Sequence, residues 1–441
     1  MPEGCCNHAT LWQIPLIDSR LQTTPLPPDS LANALLLAAT SVAAVFSGKN
    51  LPDALSAHAA EPAPTRASAQ DLAYGALRRF GQGDAILAAL LSRPLPMPEV
   101  RALLLCSLYR LETRPEAAHT VVDQAVEAAG QLARGTFRGL VNGVLRNFLR
   151  QQESLLNGLD GDEALYQHPD WWLERLRRTH PDDWQQIVDA GNRPPPMALR
   201  VNLRRISQAA YLQKLVDAGI SATPLGSTGL LLARPQPVDA LPGFFEGLAS
   251  VQDGGAQRAA ELLGASKEQR VLDACAAPGG KAAHMLELAD IQLTALEVDA
   301  RRARRIDENL SRLGLAAQVK VADCREVSKW WDGVPFDCIL ADVPCSASGV
   351  VSRHPDSKWL RRETDIAGFA RVQRQILEAL WPTLAPGGKL LYATCSVFSD
   401  ENGRQLTFAQ TQLGAVKIAE ERLLPQGDHD GFYYALLQKA G

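Results

Sequence analysis

Two cysteines, Cys345 and Cys395, lie where thiols can do covalent chemistry. Cys345 follows the apolar run 338–341 and Cys395 follows the run 390–393, and each run predicts a buried strand. If both strands belong to one parallel sheet, the two thiols reach its carboxyl edge, where open α/β sheets bind ligands. Few reactions need two thiols beside a site that binds a nucleotide-like ligand. One that does is the methylation of a pyrimidine ring through a covalent adduct.

In that reaction a thiolate adds to C6 of the pyrimidine, and C5 becomes nucleophilic enough to accept a methyl group. A base then removes the C5 proton and the thiol is expelled. An acidic group such as Asp342 must hydrogen-bond the ring so that the developing charge is stabilised. The alternative for any single thiol is a buried structural cysteine, which is the better interpretation of Cys106, Cys338 and Cys275.

A glycine-rich turn upstream of both thiols predicts a cofactor site. Residues 270–274 predict a strand and residues 282–288 the helix behind it, and Gly279 and Gly280 between them let the backbone approach a ligand closely. The turn lacks the Gly-x-Gly-x-x-Gly fingerprint, which argues against a nicotinamide-dependent dehydrogenase. A turn with a purely structural role stays open at this point.

Acidic residues lie at or near the ends of four successive predicted strands of this region. An acid about twenty residues beyond the glycine turn, here Glu297, is suited to bind both ribose hydroxyls of a nucleoside. Asp323 is placed to meet an adenine amino group. Four arginines on the helix after Glu297 are interpreted as a solvated face rather than a phosphate site. The acids are Asp273, Glu297, Asp323 and Asp342, and the arginines are Arg301, Arg302, Arg304 and Arg305.

Length and composition place these motifs in a multidomain globular chain. The 441 residues are 46% hydrophobic and 21% charged with a net charge of −4, so two or three domains are expected and any nucleic-acid surface must be local. Eight cysteines without zinc spacing argue against a disulfide scaffold and favour a reducing cytoplasm. The apolar run 34–46 is too short to span a bilayer and predicts a buried helix.

The chain divides into four predicted regions. Residues 1–30 predict a loose N-terminal extension, 31–150 an all-α bundle, 151–249 a helical linker plus a small α+β domain, and 250–441 a doubly wound α/β domain. Residues 66–150 contain 11 Arg against 7 Asp plus Glu, an excess that fits either phosphate contacts or a solvated helix surface. Three tryptophans of the linker are interpreted as core anchors: Trp171, Trp172 and Trp184.

The motifs around the candidate residues resemble those of the RNA 5-methylcytosine methyltransferases, which use S-adenosylmethionine. The matching segments are 273–281, 342–346 and 394–396. The resemblance implies a Rossmann-like class I methyltransferase domain, with Cys395 as the nucleophile and Cys345 assisting the breakdown of the adduct. It also implies catalytic roles for Asp342 and Lys281. The cofactor site that it implies consists of Cys275, Ala276, Ala277, Pro278, Gly279, Gly280, Lys281, Glu297, Asp323 and Asp342.

The resemblance extends to the N-terminal half, where residues 139–146 and the arginine-containing helices before them look like the NusB-type RNA-binding bundle. The implied substrate is a cytosine of 16S rRNA, position 967 in standard rRNA numbering, in free rRNA or an early assembly intermediate. A monomer with no metal site and no membrane partner is expected. The remaining alternative is a non-catalytic rRNA-binding or ribosome assembly factor that retains the fold.

Overall fold

The computed structural model describes residues 25–441. The predicted N-terminal extension, residues 1–30, therefore lies almost wholly outside the described residues. Within residues 25–441, no helix combines the length and the apolar character that crossing a membrane requires.

Seven helices form the N-terminal bundle. The first begins at Ser30, whose side chain accepts a hydrogen bond from the amide of Asn33. The apolar run 34–46 lies inside this helix and is largely buried against its neighbours, which confirms the predicted buried helix. The helices are α1 (Leu31–Phe46), α2 (Leu51–Ser56), α3 (Ala63–Arg78), α4 (Phe80–Leu90), α5 (Pro98–Thr113), α6 (Ala118–Gly130) and α7 (Arg138–Asn157).

The last helix of the bundle ends later than the predicted boundary at residue 150. Helix α7 continues to Asn157 and ends at Gly158. Residues 151–157 contain neither glycine nor proline, so nothing in the chain stops the helix earlier.

Three short helices link the bundle to the rest of the chain: α8 (Asp162–Tyr166), α9 (Asp170–Thr179) and α10 (Trp184–Gly191). Trp172 is buried, and its ring meets that of Phe398 with centroids 5.2 Å apart. Trp171 and Trp184 are partly buried against the same apolar cluster. The three tryptophans are therefore core anchors, as predicted.

The small α+β domain contains a four-stranded antiparallel sheet in the order β2-β3-β1-β4. Its fourth strand was not predicted and crosses the expected boundary at residue 249. This strand forms because it pairs with β1, where Leu199 lies opposite Val251, a partner remote in sequence. The elements are β1 (Ala198–Val201), α11 (Gln208–Asp217), β2 (Ala222–Leu225), β3 (Gly229–Leu232) and β4 (Ala249–Val251).

The C-terminal domain is built on a seven-stranded sheet in the order β10-β11-β9-β8-β5-β6-β7. The strands from β9 to β7 are parallel, while β11 runs antiparallel to both of its neighbours. The elements are α12 (Gly254–Leu263), β5 (Arg270–Asp273), α13 (Gly280–Leu288), β6 (Gln292–Glu297), α14 (Ala300–Leu313), β7 (Gln318–Val321), β8 (Phe336–Asp342), α15 (Ser357–Leu360), α16 (Glu363–Leu380), β9 (Leu384–Thr394), α17 (Gly403–Gln412), β10 (Val416–Leu423) and β11 (Phe432–Gln438).

The central strands of this sheet are buried on both faces, as is usual where helices cover a parallel sheet. Along β9, Leu391 and Ala393 belong to one apolar core, and Leu390 and Tyr392 belong to the other. Successive side chains of a strand point to opposite faces, so both cores fix its register. The carboxyl ends of β5, β8 and β9 are thereby held side by side.

The segment after Cys345 attaches the helical bundle to the C-terminal domain. The indole N–H of Trp359 donates to the carbonyl of Leu77 at 2.8 Å, and its ring meets Phe80 edge-on with centroids 4.6 Å apart. The carboxylate of Asp356 accepts a hydrogen bond from the amide of Leu51 at 2.9 Å. The bundle therefore rests on the same loop that carries one of the two thiols.

Candidate active site

The carboxyl ends of β8 and β9 bring Cys345 and Cys395 together. The two strands are adjacent and parallel, and Asp342 lies opposite Ala393. A few residues beyond this pair, the Sγ atoms of Cys345 and Cys395 are 3.3 Å apart. Both cysteines are half-buried. The convergence of thiols that covalent pyrimidine chemistry requires is therefore present.

The contact between the thiols affects the protonation of Cys345. The hydrogen bond with Cys395, together with burial and the charge of Glu401, raises the pKa of Cys345 well above its usual value. A thiol that keeps its proton can donate an S–H hydrogen bond to a neighbouring thiolate. Cys345 is therefore favoured to keep its proton in this contact.

Glu401, which the sequence interpretation did not single out, holds both cysteine loops. Its side chain is 0% exposed. Its carboxylate accepts hydrogen bonds from the Ser346 amide at 2.8 Å, the Ser346 hydroxyl at 2.5 Å and the Ser396 hydroxyl at 2.5 Å. Burial raises the pKa of Glu401, although these hydrogen bonds oppose the shift. Because each serine directly follows a thiol, one buried carboxylate fixes the separation of the two loops.

Lys281, for which the resemblance implied a catalytic role, lies beside Asp342. Its Nζ is 2.5 Å from Oδ2 of Asp342 and 5.4 Å from the ring centroid of Phe432. Burial alone would lower the pKa of Lys281, but the charges of Asp342, Cys395 and Asp273 raise it above its ordinary value. The ammonium group stays charged, so it can orient Asp342 and stabilise negative charge next to the thiols.

The turn between β5 and α13 packs closely against α14 and leads into a helix start that can bind a ligand. Gly279 has a φ of +96°, a conformation that favours glycine, and a Cβ at this position would lie 3.2 Å from Ile306. The turn leads directly into α13, whose first amide groups lack partners within the helix. Helix starts of this kind bind anionic groups such as a carboxylate.

Asp273, directly before this turn, has the character of a ligand-binding acid. It is 1% exposed, and among the described residues no well-oriented hydrogen bond reaches either carboxyl oxygen. Burial and the Asp342 carboxylate raise the pKa of Asp273 to about 7, while Lys281 and the amide of Cys275 oppose this shift. An unsatisfied buried carboxyl fits a ligand with cationic groups. S-adenosylmethionine, with its ammonium, sulfonium and carboxylate, therefore fits the residues present.

The other two acids continue along the same edge of the sheet. Glu297 is buried, and its Oε1 accepts a hydrogen bond from the amide of Asp299 at 3.0 Å. Asp323 follows β7, the strand farthest from the thiols on this side, and lies 2.6 Å from Arg325. The hydrogen bond from Arg325 lowers the pKa of Asp323. The four arginines predicted to form a solvated face of α14 are exposed, as expected.

Two further contacts around the turn between β5 and α13 were not foreseen from sequence. The neighbouring thiol of Cys324, together with burial, raises the pKa of Cys275. Arg200 of the small domain is buried and donates to Oε2 of Glu287 at 2.8 Å and to the carbonyl of Gly280 at 2.7 Å. The small domain thus holds the first turn of α13 in place.

The sheet, the glycine turn before α13 and the acids at the strand ends are together those of an S-adenosylmethionine-dependent methyltransferase. Solved structures share the architecture. The structure titled PH0851 has a TM-score of 0.76 at 22% identity and covers 95% of this chain and 100% of its own. A methyltransferase homolog protein from Pyrococcus horikoshii has a TM-score of 0.57 at 25% identity, over 63% of this chain and 97% of its own.

Sequence comparisons narrow the class to one family. Family models match three regions: NusB at residues 32–150, the RsmF/B-like ferredoxin-like domain at 168–239 and 16S rRNA methyltransferase RsmB/F at 260–438. Ribosomal RNA small subunit methyltransferase B of Erwinia tasmaniensis is 45% identical over 84% of this chain and 90% of its own length. The protein of the same name from Salmonella paratyphi C is 42% identical over 85% and 90%. The chain belongs to the 16S rRNA methyltransferase RsmB/F family.

Proposed function

We propose that this protein methylates C5 of a cytosine in 16S rRNA through a covalent adduct with Cys395. The observation that carries the proposal is the 3.3 Å separation of the Cys345 and Cys395 sulfurs beside the Lys281–Asp342 pair. One thiol suffices to form an adduct, whereas a second thiol in contact with it suits a reaction that must also release the adduct. A non-catalytic assembly factor has no need of this pair.

The residues divide the reaction between them. Cys395 adds as a thiolate to C6 of cytosine, and the electron density that develops at C5 makes this carbon nucleophilic. S-adenosylmethionine, when bound, supplies an electrophilic methyl group. Asp342, oriented by Lys281 at 2.5 Å, hydrogen-bonds the base, and the lysine ammonium stabilises the charge that develops on the ring.

Cys345 acts in the release step. Once Cys395 is a thioether, neither its hydrogen bond nor its charge raises the pKa of Cys345, so Cys345 loses its proton to solvent more readily. The Cys345 thiolate removes the C5 proton, the C5–C6 double bond re-forms, and the electrons of the C6–S bond return to Cys395. Both thiols must therefore reach the same base from one side of the pocket.

The proposed RNA partner is free 16S rRNA or an early assembly intermediate, bound by a monomer in the cytoplasm, where rRNA is made. The target base must leave its stack to reach the thiols, which costs least in a single-stranded loop. The basic excess in residues 66–150 supports a second RNA contact on the NusB-family bundle. The proposed position is 967 in standard rRNA numbering.

The decisive experiment is trapping of the adduct on a denaturing gel. Purified chain is incubated with unmodified 16S rRNA and S-adenosylmethionine. Cys345→Ala should accumulate a covalent protein–RNA species, because Cys395 still attacks but release fails. Cys395→Ala and the double variant should form none. No RNA-linked species with Cys345→Ala, and no methylation by the wild type, would favour the assembly factor instead.

Bisulfite sequencing identifies the nucleotide. A cytosine that resists conversion in wild-type rRNA should become convertible in cells lacking this gene, and we expect that cytosine at position 967. Loss of protection at another cytosine would contradict the proposed position while leaving the chemistry intact.

A further inference from the structure

A cleft lined by basic residues opens beside the loop that carries Cys395. It encloses about 550 Å³, and we call it the arginine cleft. Its charged and titratable lining residues come from α9, α17, β10 and the loops between them: Arg175, Arg178, His180, Asp400, Arg404 and Arg422. Four arginines against one acid make a local positive surface on a chain whose net charge is −4.

Much of this positive charge remains available to a ligand. Arg175 pairs with Asp400 at 2.6 Å and with Glu363 at 3.5 Å, so its charge is compensated within the protein. Arg404 shares the Asp400 carboxylate at 2.6 Å, and its side chain is 67% exposed. Arg422 pairs with Glu420 at 2.7 Å, yet its side chain is 65% exposed. Arg178 is exposed and makes no ion pair or hydrogen bond with any residue between 25 and 441. The cleft thus offers several open guanidinium donors to an anion.

The cleft is joined to the catalytic loop. A ring nitrogen of His180 contacts the carbonyl of Val397 at 2.7 Å, and Val397 lies two residues after Cys395. Arg422 lies opposite Tyr433 on the neighbouring strand, and Tyr433 lies opposite Thr394. Adjacent strands lie about 4.8 Å apart, so the backbone of Arg422 is about 10 Å from that of Thr394. The cleft therefore lies at the same edge of the sheet as the nucleophile.

We propose that the arginine cleft binds backbone phosphates of the RNA strand that flanks the target cytosine. This inference rests on the proposed function. A nucleotide that inserts its base beside Cys395 must carry its neighbouring phosphates across this edge of the sheet. Guanidinium groups bind phosphate oxygens in a bidentate manner and carry no sequence preference. The cleft would thus position the strand, while the pocket beside the thiols selects the base.

A second basic cavity fits this role less well. The cavity between α6 and α7 is lined by Arg146 and Arg150 together with Asp123. It lies on the bundle, not at the edge of the catalytic sheet. It is therefore not placed to bind the phosphates next to the reacting base, as the arginine cleft is.

The test is the salt dependence of RNA binding by the full chain. A fluorescent hairpin from 16S rRNA that contains the target cytosine is titrated at several salt concentrations without S-adenosylmethionine. Each single-strand phosphate contact contributes about 0.7 to the slope of log affinity against log salt. The variant Arg178→Ala/Arg404→Ala/Arg422→Ala should lose about 2 from this slope. At saturating hairpin and with cofactor present, its kcat should stay within twofold of wild type, whereas KM for the hairpin rises.

The control removes three exposed cations outside the cleft, Lys267, Arg304 and Arg305, and should keep the wild-type slope. Binding of S-adenosylmethionine, measured by calorimetry, should be the same in all three proteins. An unchanged slope in the cleft variant, with methylation intact in the wild type, would overturn the proposed cleft alone. A cleft variant that loses slope while the wild type fails to methylate the hairpin would support the RNA site and contradict the proposed function.

Discussion

The carboxylate of Glu401 accepts two hydrogen bonds from Ser346, one from its amide at 2.8 Å and one from its hydroxyl at 2.5 Å. The same carboxylate accepts the hydroxyl of Ser396 at 2.5 Å. The loops that carry the two thiols are therefore joined through one buried side chain, and the Sγ–Sγ distance depends on it. Glu401 is a positioning residue in this arrangement, because its hydrogen bonds go to the two serines and it acts on the thiols through them.

We expect Glu401→Gln to lower kcat for rRNA methylation by about tenfold or more, with little change in KM for RNA. The glutamine side chain has an NH2 group in place of one carboxylate oxygen, and this group cannot accept a hydrogen bond from the serines. Each buried hydrogen bond lost in this way costs about 1–3 kcal/mol. The rate of adduct formation in a Cys345→Ala background is the specific readout, since a merely destabilised fold would leave it unchanged at low temperature. The control is Glu378→Gln on α16, an exposed position. An adduct rate equal to that of wild-type Glu401 would contradict the positioning role.

The thiols and the acids could be predicted from sequence because each follows a recognisable strand in the chain. Cys345 and Cys395 come after apolar runs, and parallel strands align their carboxyl ends, so proximity follows from topology. Glu401 could not be predicted in this way. Only the fold shows that its carboxylate turns back to Ser346, 55 residues away in sequence. From the sequence alone, Glu401 cannot be distinguished from an acidic residue on the surface.

Other contacts were missed for the same reason. The strand β4 and the pair of Arg200 with Glu287 join segments far apart in the chain, the latter separated by 87 residues. Hydrophobic periodicity reports which face of an element is buried, not which distant polar group it meets there. The end of α7 at Asn157 differs from the others, because the sequence does signal it: Gly158 follows directly, whereas no glycine or proline lies at the predicted end, residue 150.

Arg200→Ala should weaken binding of S-adenosylmethionine and destabilise the chain. Arg200 is 1% exposed, and its loss leaves Glu287 as an unpaired buried charge and frees the carbonyl of Gly280. Breaking a buried ion pair in this way costs about 3–5 kcal/mol. Arg200→Lys should rescue stability only in part, because an ammonium cannot reproduce the bidentate contact.

Calorimetric cofactor titration and urea unfolding measure the two effects of Arg200→Ala. Arg204 provides the matched control, since it pairs with Asp290 and its side chain is 38% exposed. Arg204→Ala should cost at most about 1 kcal/mol. Equal losses of unfolding free energy in Arg200→Ala and Arg204→Ala would contradict the prediction that the buried ion pair of Arg200 stabilises the chain more than an exposed pair does.

Asp273→Asn should flatten the pH dependence of stability in the cofactor-free protein. The pKa of Asp273 is raised from 3.8 to about 7, so the folded chain binds more protons than the unfolded chain between these values. The stabilisation is fully present below pH 3.8 and is lost as the pH rises through 7. Between pH 5 and pH 8 the wild type should lose on the order of 2 kcal/mol of unfolding free energy that the variant does not lose.

Urea unfolding at the two pH values tests this prediction for Asp273. The control is Asp307→Asn, an exposed carboxyl on α14, whose profile should run parallel to that of the wild type. If the Asp273→Asn and wild-type profiles are also parallel, the carboxyl of Asp273 does not titrate near neutrality.

Trp359→Ala should loosen the attachment of the helical bundle to the catalytic domain. The substitution removes the hydrogen bond to the Leu77 carbonyl and the edge-on contact with Phe80. Truncation of a packed tryptophan costs about 3–5 kcal/mol. Because Trp359 lies in the segment that follows Cys345, we expect a protease to cleave the variant faster between the bundle and the catalytic domain. KM for rRNA should also rise if the bundle contributes RNA contacts.

The control is Trp331→Ala, whose indole donates only to the nearby Val334 carbonyl. Equal protease sensitivity of the two variants would show that Trp359 does not hold the domains together.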